Sequence, residues 1–211
     1  MGCLMLNQDT AKAWIRRAAE IITENAVVLT ELDSAVGDAD HGANLKRGMT
    51  AAVEQLDQDF ASLEALLKKL GMTLVSTVGG ASGPLYGTLF IRMASAVVGH
   101  DEVGGEQLAD SFEAGVGGLR QRGHAEPGEK TMIDVWVPAL AAYRASWQAD
   151  GDQAAALKAM AEAADAGRDS TKDLVATKGR ASYLGERSRG HVDPGAASSA
   201  MLIRAAAETL G

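Results

Sequence analysis

The sequence predicts an all-α protein, and three observations carry that reading. Ala, the best intrinsic helix former, is the commonest residue of the chain. Apolar residues recur at helical spacing in about eight separate windows. The only β-like runs, at 26–30 and 135–137, lack the period-2 alternation and turn chemistry of a sheet.

The first window has Trp14, Ile15, Ala18, Ile21 and Ile22 on one face behind a cap at Asp9 or Thr10, which predicts a helix over 9–26. Leu45, Met49, Ala52, Val53 and Leu56 predict a second over 43–57. Ser62 caps a third that carries Leu63, Leu66, Leu67, Leu70, Leu74 and Val75. Further helices are expected over 84–99, 105–122, 132–148, 152–167 and 194–209. The last opens with Asp193 as N-cap and Pro194 at N1, where the missing N–H costs nothing. About eight helices joined by short loops pack as antiparallel neighbours in a bundle or closed ring. No linker, charge block or fixed-period repeat divides residues 1–211, so a single domain is expected.

Composition excludes several classes of function. The 211 residues carry 28 Asp and Glu against 20 Lys and Arg, a formal charge of -8, and only 4% aromatics. Such a chain repels a phosphate backbone and has few stacking platforms, so nucleic acid is not expected as a partner. The apolar stretches over 85–99 and 132–142 are broken by Arg92 and Asp134 and fall short of the ~20 residues of a membrane span. The start has no export or lipidation signal, and the single cysteine, Cys3, has no intramolecular disulfide partner. A soluble protein of the cytoplasm is the expectation.

Chemistry-bearing residues gather in a few segments. Residues 32–44, LDSAVGDADHGAN, place Asp33, Asp38, Asp40, His41 and Asn44 close together around two glycines. Two positions apart on a regular helix, Asp38 and Asp40 would point about 200° away from each other, so they converge only on a loop or at a helix start. Three converging carboxylates need a cation, and hard oxygen donors suit Mg²⁺ or Ca²⁺. Three carboxylates are more than one Mg²⁺ ordinarily takes, which invites two metals bridged by a polyphosphate. The bland alternative makes Asp40 a helix cap and Asp33 and Asp38 solvated turn residues.

The turn over 78–88, VGGASGPLYGT, can bring backbone N–H groups to an anion at a helix start, or can serve close helix packing. Residues 123–131, GHAEPGEKT, are not a Walker A loop, because Glu129 stands where the lysine is required. Residues 178–195 hold Lys178, Arg180, Arg187 and Arg189 among glycines, a local positive patch of the kind that completes phosphoryl-transfer sites, or else a solvated loop. Together these segments supply what a nucleotide site without a P-loop requires.

On these motifs, with 130–134 (KTMID), 178–185 (KGRASYLG) and 193–195 (DPG), the chain resembles the nucleotide-binding L subunits of dihydroxyacetone kinase over essentially its full length. The resemblance implies a closed barrel of eight antiparallel helices with nucleotide and two Mg²⁺ at one rim. It implies Asp33, Asp38 and Asp40 as metal ligands and His41, Gly42, Ala43 and Asn44 beside the nucleotide. Ala81 and Ser82 match the phosphate turn, Gly123 and Met132 the surroundings of the base, and Arg180, Asp193, Pro194 and Gly195 the remaining contacts. Arg180 is also the expected phosphoryl clamp. Ala39 departs from the glycine that many members carry between the two aspartates, which restricts the backbone there.

In that family a separate K subunit holds dihydroxyacetone, and ADP on the L subunit is rephosphorylated to ATP by a phosphohistidine M subunit of the phosphotransferase system. A second branch uses free ATP and often fuses K and L domains, and 211 residues leave no room for a K domain. The resemblance therefore implies a phosphoenolpyruvate-dependent phosphotransferase subunit with ADP and two Mg²⁺ as cofactors. Its alternatives are an ATP-dependent kinase subunit for dihydroxyacetone or a ketose such as erythrulose, and a non-catalytic ADP sensor that binds a transcriptional regulator. Phosphorylation of His41 itself is a further alternative, less favoured because carboxylates flank it.

Overall fold

The computed structural model describes residues 5–211, so Cys3 and the rest of residues 1–4 lie outside the described part. Among the described residues nine α-helices follow one another: α1 (Gln8–Glu24), α2 (Ala26–Val36), α3 (His41–Gln55), α4 (Leu63–Thr77), α5 (Ser82–Ala96), α6 (Gly105–Gly123), α7 (Ile133–Asp150), α8 (Gln153–Ser170) and α9 (Pro194–Leu210). Two 3-10 segments, Thr171–Asp173 and Arg180–Ser188, lie between α8 and α9. Among the described residues the one β feature is an isolated antiparallel bridge of Leu6 with Val103.

Local chemistry explains the helix starts. Asn7 and Thr10 form a reciprocal capping box on α1, and Ser62, Asp152 and Asp193 each accept backbone N–H groups at the starts of α4, α8 and α9. Helix α2 is absent from the sequence expectation, which read 26–30 as β-like. Its β-branched residues have modest helix propensity, and tertiary contacts override that preference. The α3 backbone approaches so closely that a Cβ on Gly42 would lie 1.9 Å from the Ala26 carbonyl oxygen.

Eight helices close a ring in the order α1, α3, α4, α5, α6, α7, α8, α9, with α9 returning to α1 and α2 resting on α3 and α9. The closing seam is polar as well as apolar. The indole of Trp14 donates to the Leu202 carbonyl at 2.9 Å, and Arg17 pairs with Glu208. Inside the ring Trp14, Phe90, Phe112, Trp136 and Tyr143 form a contiguous aromatic cluster with centroids 5.5–6.3 Å apart. At these burials truncation of a single aromatic to Ala costs about 3–5 kcal/mol.

Small residues set the closest helix approaches. A Cβ on Gly71 or Gly87 would lie 2.7 Å from the other glycine's carbonyl oxygen, which fixes the α4–α5 contact. Pro138 inside α7 has no N–H to give the Asp134 carbonyl, and Gly167 of α8 approaches that freed oxygen. At one end of the ring Gln153 ties the Gly105 N–H to the Leu210 carbonyl. The opposite end gathers the starts of α3, α5, α7 and α9 and the segments after α2, α4, α6 and α8, and this rim holds the site. Among the described residues no helix is long and apolar enough to cross a membrane.

Candidate functional site

An open cleft of about 830 Å³ occupies the rim, lined from α2, the four helix starts and the 178–181 segment. Each of the four helix N-termini at this cleft contributes positive partial charge. Three of them are met within the protein: Asp33 accepts the backbone N–H groups of Asp40 (2.9 Å) and His41 (3.2 Å) before α3, Thr131 Oγ1 accepts that of Ile133 (3.2 Å) in α7, and Asp193 accepts that of Ala196 (2.7 Å) in α9. Helix α5 has no side-chain cap, and its start at Gly79, Gly80, Ala81 and Ser82 lines the cleft. Of the four it is the start best suited to a phosphate, with Gly80 supplying the turn at φ +65°.

Facing it, Asp33, Asp38 and Asp40 bring one carboxylate oxygen each to within 4.8 Å of one another. The sequence places them together in a physically specific way. Asp33 sits buried in the last turn of α2, and Asp38 and Asp40 lie on the short link to α3. The Asp33 Oδ1 lies where a Cβ on Gly37 would sit, 2.0 Å away, so only glycine admits that carboxylate orientation. The capping role belongs to Asp33, whereas the Asp40 side chain makes no cap bond although it stands at the N-cap position. Ala39, between the two outer carboxylates, takes the left-handed φ of +61°. Three clustered carboxylates with one cation, Arg180, paired to Asp38 at 3.0 Å, form a hard oxygen donor set that fits divalent metal ions.

His41 opens α3 with both ring nitrogens engaged: Nε2 to Ser198 Oγ at 2.9 Å and Nδ1 to Ser82 Oγ at 3.1 Å. Burial holds its pKa below the ordinary histidine value, against the opposing pull of Asp33 and Asp40, so the ring is neutral at pH 7. Ser198 in turn contacts the Tyr86 hydroxyl at 2.6 Å, and burial pushes that phenol up to about 12. This chain of hydroxyls links α3, α5 and α9 behind the 79–82 turn. Beside it, Asn44 accepts from Arg47 at 2.7 Å, and its amide lies against Gly79.

The cleft opens into an apolar groove of about 910 Å³ lined by Leu85, Leu119, Ala125, Met132 and Ile133, with Gly123 at its edge. Ala81, Leu85, Thr131, Met132, Lys178 and Gly179 belong to both, so charged cleft and apolar groove form one continuous depression.

Most of the residues singled out in the sequence converge here. His41, Asn44, Ala81, Ser82, Met132, Arg180, Asp193, Pro194 and Gly195 line the cleft with the three aspartates, and Gly123 lines the groove. Gly42 and Ala43 do not line either; Gly42 faces α2, and Ala43 is exposed on the outer side of α3. The 78–88 segment serves both of its readings, since Gly79 and Gly80 face the cleft while Gly83 and Gly87 serve helix packing. Desolvation pushes the Asp193 carboxyl up to about 7, opposed by the Ala196 N–H and by Lys130.

Sequence reasoning missed Lys130 and Asp134. Asp134 accepts the Thr131 N–H at 2.7 Å and the Gly128 N–H, which closes the loop before α7. Lys130 is 1% exposed and lines the cleft. Their spacing in 130–134 carried the only signal, because no pattern distinguishes a buried lysine from a surface one.

The fold and this depression define an all-helical domain with an acid cluster facing an uncapped helix start. The chain belongs to the DAK2 domain family, whose model matches residues 35–208. It is 46% identical over 204 residues to the "PEP-dependent dihydroxyacetone kinase 1, ADP-binding subunit DhaL" of Listeria innocua, covering 96% of this chain and 97% of that protein. The "PEP-dependent dihydroxyacetone kinase, ADP-binding subunit DhaL" of Escherichia coli strain K12 is also 46% identical, over 95% of this chain and 96% of its own. The crystal structure of the dihydroxyacetone kinase from C. freundii in complex with AMP-PNP and Mg²⁺ has the same fold, with a TM-score of 0.72 and 24% identity. That likeness covers 98% of this chain and 35% of the C. freundii chain, so this protein spans about a third of that kinase.

Proposed function

We propose that this protein is the ADP-binding subunit of a phosphoenolpyruvate-dependent dihydroxyacetone kinase, acting as one domain in the cytoplasm. A phosphohistidine M subunit of the phosphotransferase system converts its ADP to ATP, and the phosphoryl group passes to dihydroxyacetone on a K subunit. The observation that carries this reading is the depression itself: three carboxylates opposite an uncapped α5 start, continuous with an apolar groove. The 46% identity to ADP-binding subunits supports it across almost the whole chain.

In this reading Asp33, Asp38 and Asp40 hold two Mg²⁺, which when bound neutralise the charge on the phosphoryl oxygens. Backbone N–H groups at Ala81 and Ser82 orient the phosphates, and Leu85, Met132 and Gly123 enclose the base. Asn44, Asp193, Pro194 and Gly195 complete the walls, while Gly42 seats the start of α3 against α2. Arg180, paired with Asp38 at the edge of the cleft, adds positive charge where negative charge develops on the transferring phosphoryl group. His41, neutral and engaged at both nitrogens, positions Ser82 and carries no phosphoryl group. The test supplies the ADP-loaded protein with phosphoenolpyruvate and the phosphotransferase-system proteins, then follows ATP on the chain and dihydroxyacetone phosphate after K subunit is added. Formation of both is expected. Failure of bound ADP to accept the phosphoryl group, with dihydroxyacetone phosphate formed only from free ATP, contradicts the reading.

A further inference from the structure

Lys130 combines two costly features. Its backbone is left-handed, with φ +62°, and its side chain is buried. A non-glycine residue in that conformation and a desolvated ammonium persist only where the surroundings over-determine them. Its Nζ donates to the carbonyls of Thr171 and His191. Those two residues flank the segment 172–190, which carries Arg180 at the cleft.

The neck of that segment is closed on itself. Gly190 N–H donates to the Lys172 carbonyl at 2.7 Å, and the Asp193 N–H donates to Thr171 Oγ1 at 3.0 Å. The segment's body rests on α2 through Val36, Ala176 and Ala181. At its outer edge it meets the loop before α7 through Thr177 N–H to the Glu129 carbonyl at 3.3 Å and the long Lys178–Glu129 pair at 4.0 Å. Exposed contacts of this kind contribute little. Lys130 supplies the buried tie between the neck and the start of α7, from opposite walls of the depression.

The charges around it are Asp193, Asp134 and Asp173, opposed by Arg189. The ammonium therefore sits among carboxylates while its hydrogens hold the neck. The other elements of the depression have their own local supports: Asp134 closes the loop before α7, and Asp193 caps α9.

We propose that Lys130 is a positioning residue, its ammonium fixing the neck of segment 172–190 so that Arg180 is held at the phosphoryl group. The kinetic part of this inference rests on the kinase reading above, whereas the structural part does not. Because the nucleotide walls keep their own supports, loss of the ammonium strikes phosphoryl transfer harder than nucleotide binding.

The test compares Lys130→Met, which keeps the stem and loses the ammonium, with Lys130→Gly, which also relieves the positive φ. Segment 172–190 contains Lys172, Lys178, Arg180, Arg187 and Arg189, so limited trypsin digestion without nucleotide reports its anchoring directly. Both variants are expected to be cut in this segment at least tenfold faster than the unaltered protein. With ADP and Mg²⁺ present, the transfer rate is expected to fall at least tenfold while ADP affinity changes less than threefold. Addition of n-butylamine, the missing side chain as a free molecule, should restore protection and part of the rate to Lys130→Gly and neither to Lys130→Met.

Unchanged cleavage in both variants overturns the inference, whatever the transfer assay gives. Unaltered behaviour of Lys130→Gly beside a defective Lys130→Met also overturns it, because a protein without the ammonium would then hold the segment as firmly as the unaltered one. Should Lys130→Met fail to fold, Lys130→Gly with and without butylamine decides the matter by the same readouts. If the unaltered protein itself shows no ADP-dependent transfer while the digestion results hold, the kinase reading fails and the anchoring role stands.

Discussion

Ala39 offers a quantitative test of the turn that carries Asp38 and Asp40. It lies between Asp38 and Asp40 with φ +61°, a conformation that costs an L-residue about 1–2 kcal/mol and glycine almost nothing. Ala39→Gly relieves that cost but adds about 0.4–1 kcal/mol of unfolded-state freedom, leaving a net gain of about 1 kcal/mol. For a domain of 150–250 residues that raises Tm by about 2–4 °C. Gly80, across the cleft at φ +65° with nothing within 4 Å of a built Cβ, supplies the mirror experiment. Gly80→Ala should lower Tm by a comparable amount through the backbone alone. Thermal melts by circular dichroism, run with chelator present, give both shifts, and calorimetric Mg²⁺ titration should show the affinity of Ala39→Gly within threefold of the unaltered protein. Destabilisation by Ala39→Gly, or a tenfold loss of Mg²⁺ affinity, would refute the argument that this turn is strained but correctly placed.

Asp33 serves as helix cap and cluster member together, and substitutions separate the roles. Asp33→Asn keeps an acceptor for the Asp40 and His41 N–H groups and should melt within about 2 °C of the unaltered protein, whereas Asp33→Ala loses about 1 kcal/mol of capping; Mg²⁺ binding should collapse in both. Arg180 is exposed, so Arg180→Ala should leave Tm unchanged within error while phosphoryl transfer drops about 10²-fold or more, and transfer within threefold of normal would exclude the clamp. Asp193 predicts a pH effect: its carboxyl is raised from 3.8 to about 7, so the folded state binds the proton more tightly. Its contribution is full below pH 3.8 and is lost as pH rises towards 7. Denaturant titrations of metal-free protein should show stability falling by a few kcal/mol across that window relative to Asp193→Asn, which keeps the cap but does not titrate.

The fold was legible because helix periodicity and caps are local. The apolar faces of α1, α3 and α4 and the caps at Ser62 and Asp193 could be read directly, and the structure reproduces them to within a few residues. Helix α2 was not, since 26–30 is β-branched and its helicity is enforced by the α3 backbone at Gly42. The acid cluster stood out because three carboxylates in eight positions repel unless something holds them. The roles within it did not: only the folded chain distinguishes Asp33 as the cap and Asp38 as the partner of Arg180. Lys130 and the Ser82–His41–Ser198–Tyr86 chain depend on contacts between residues up to 157 apart in sequence, which no local pattern encodes.

The central claim is that ADP is a resident coenzyme of this protein. The most direct test is to purify the protein gently from its host, denature it, and measure released nucleotide per chain by chromatography. The account predicts close to one ADP per chain, retained through purification and lost on prolonged chelation of divalent metal. A chain that emerges empty and exchanges added ATP rapidly contradicts it.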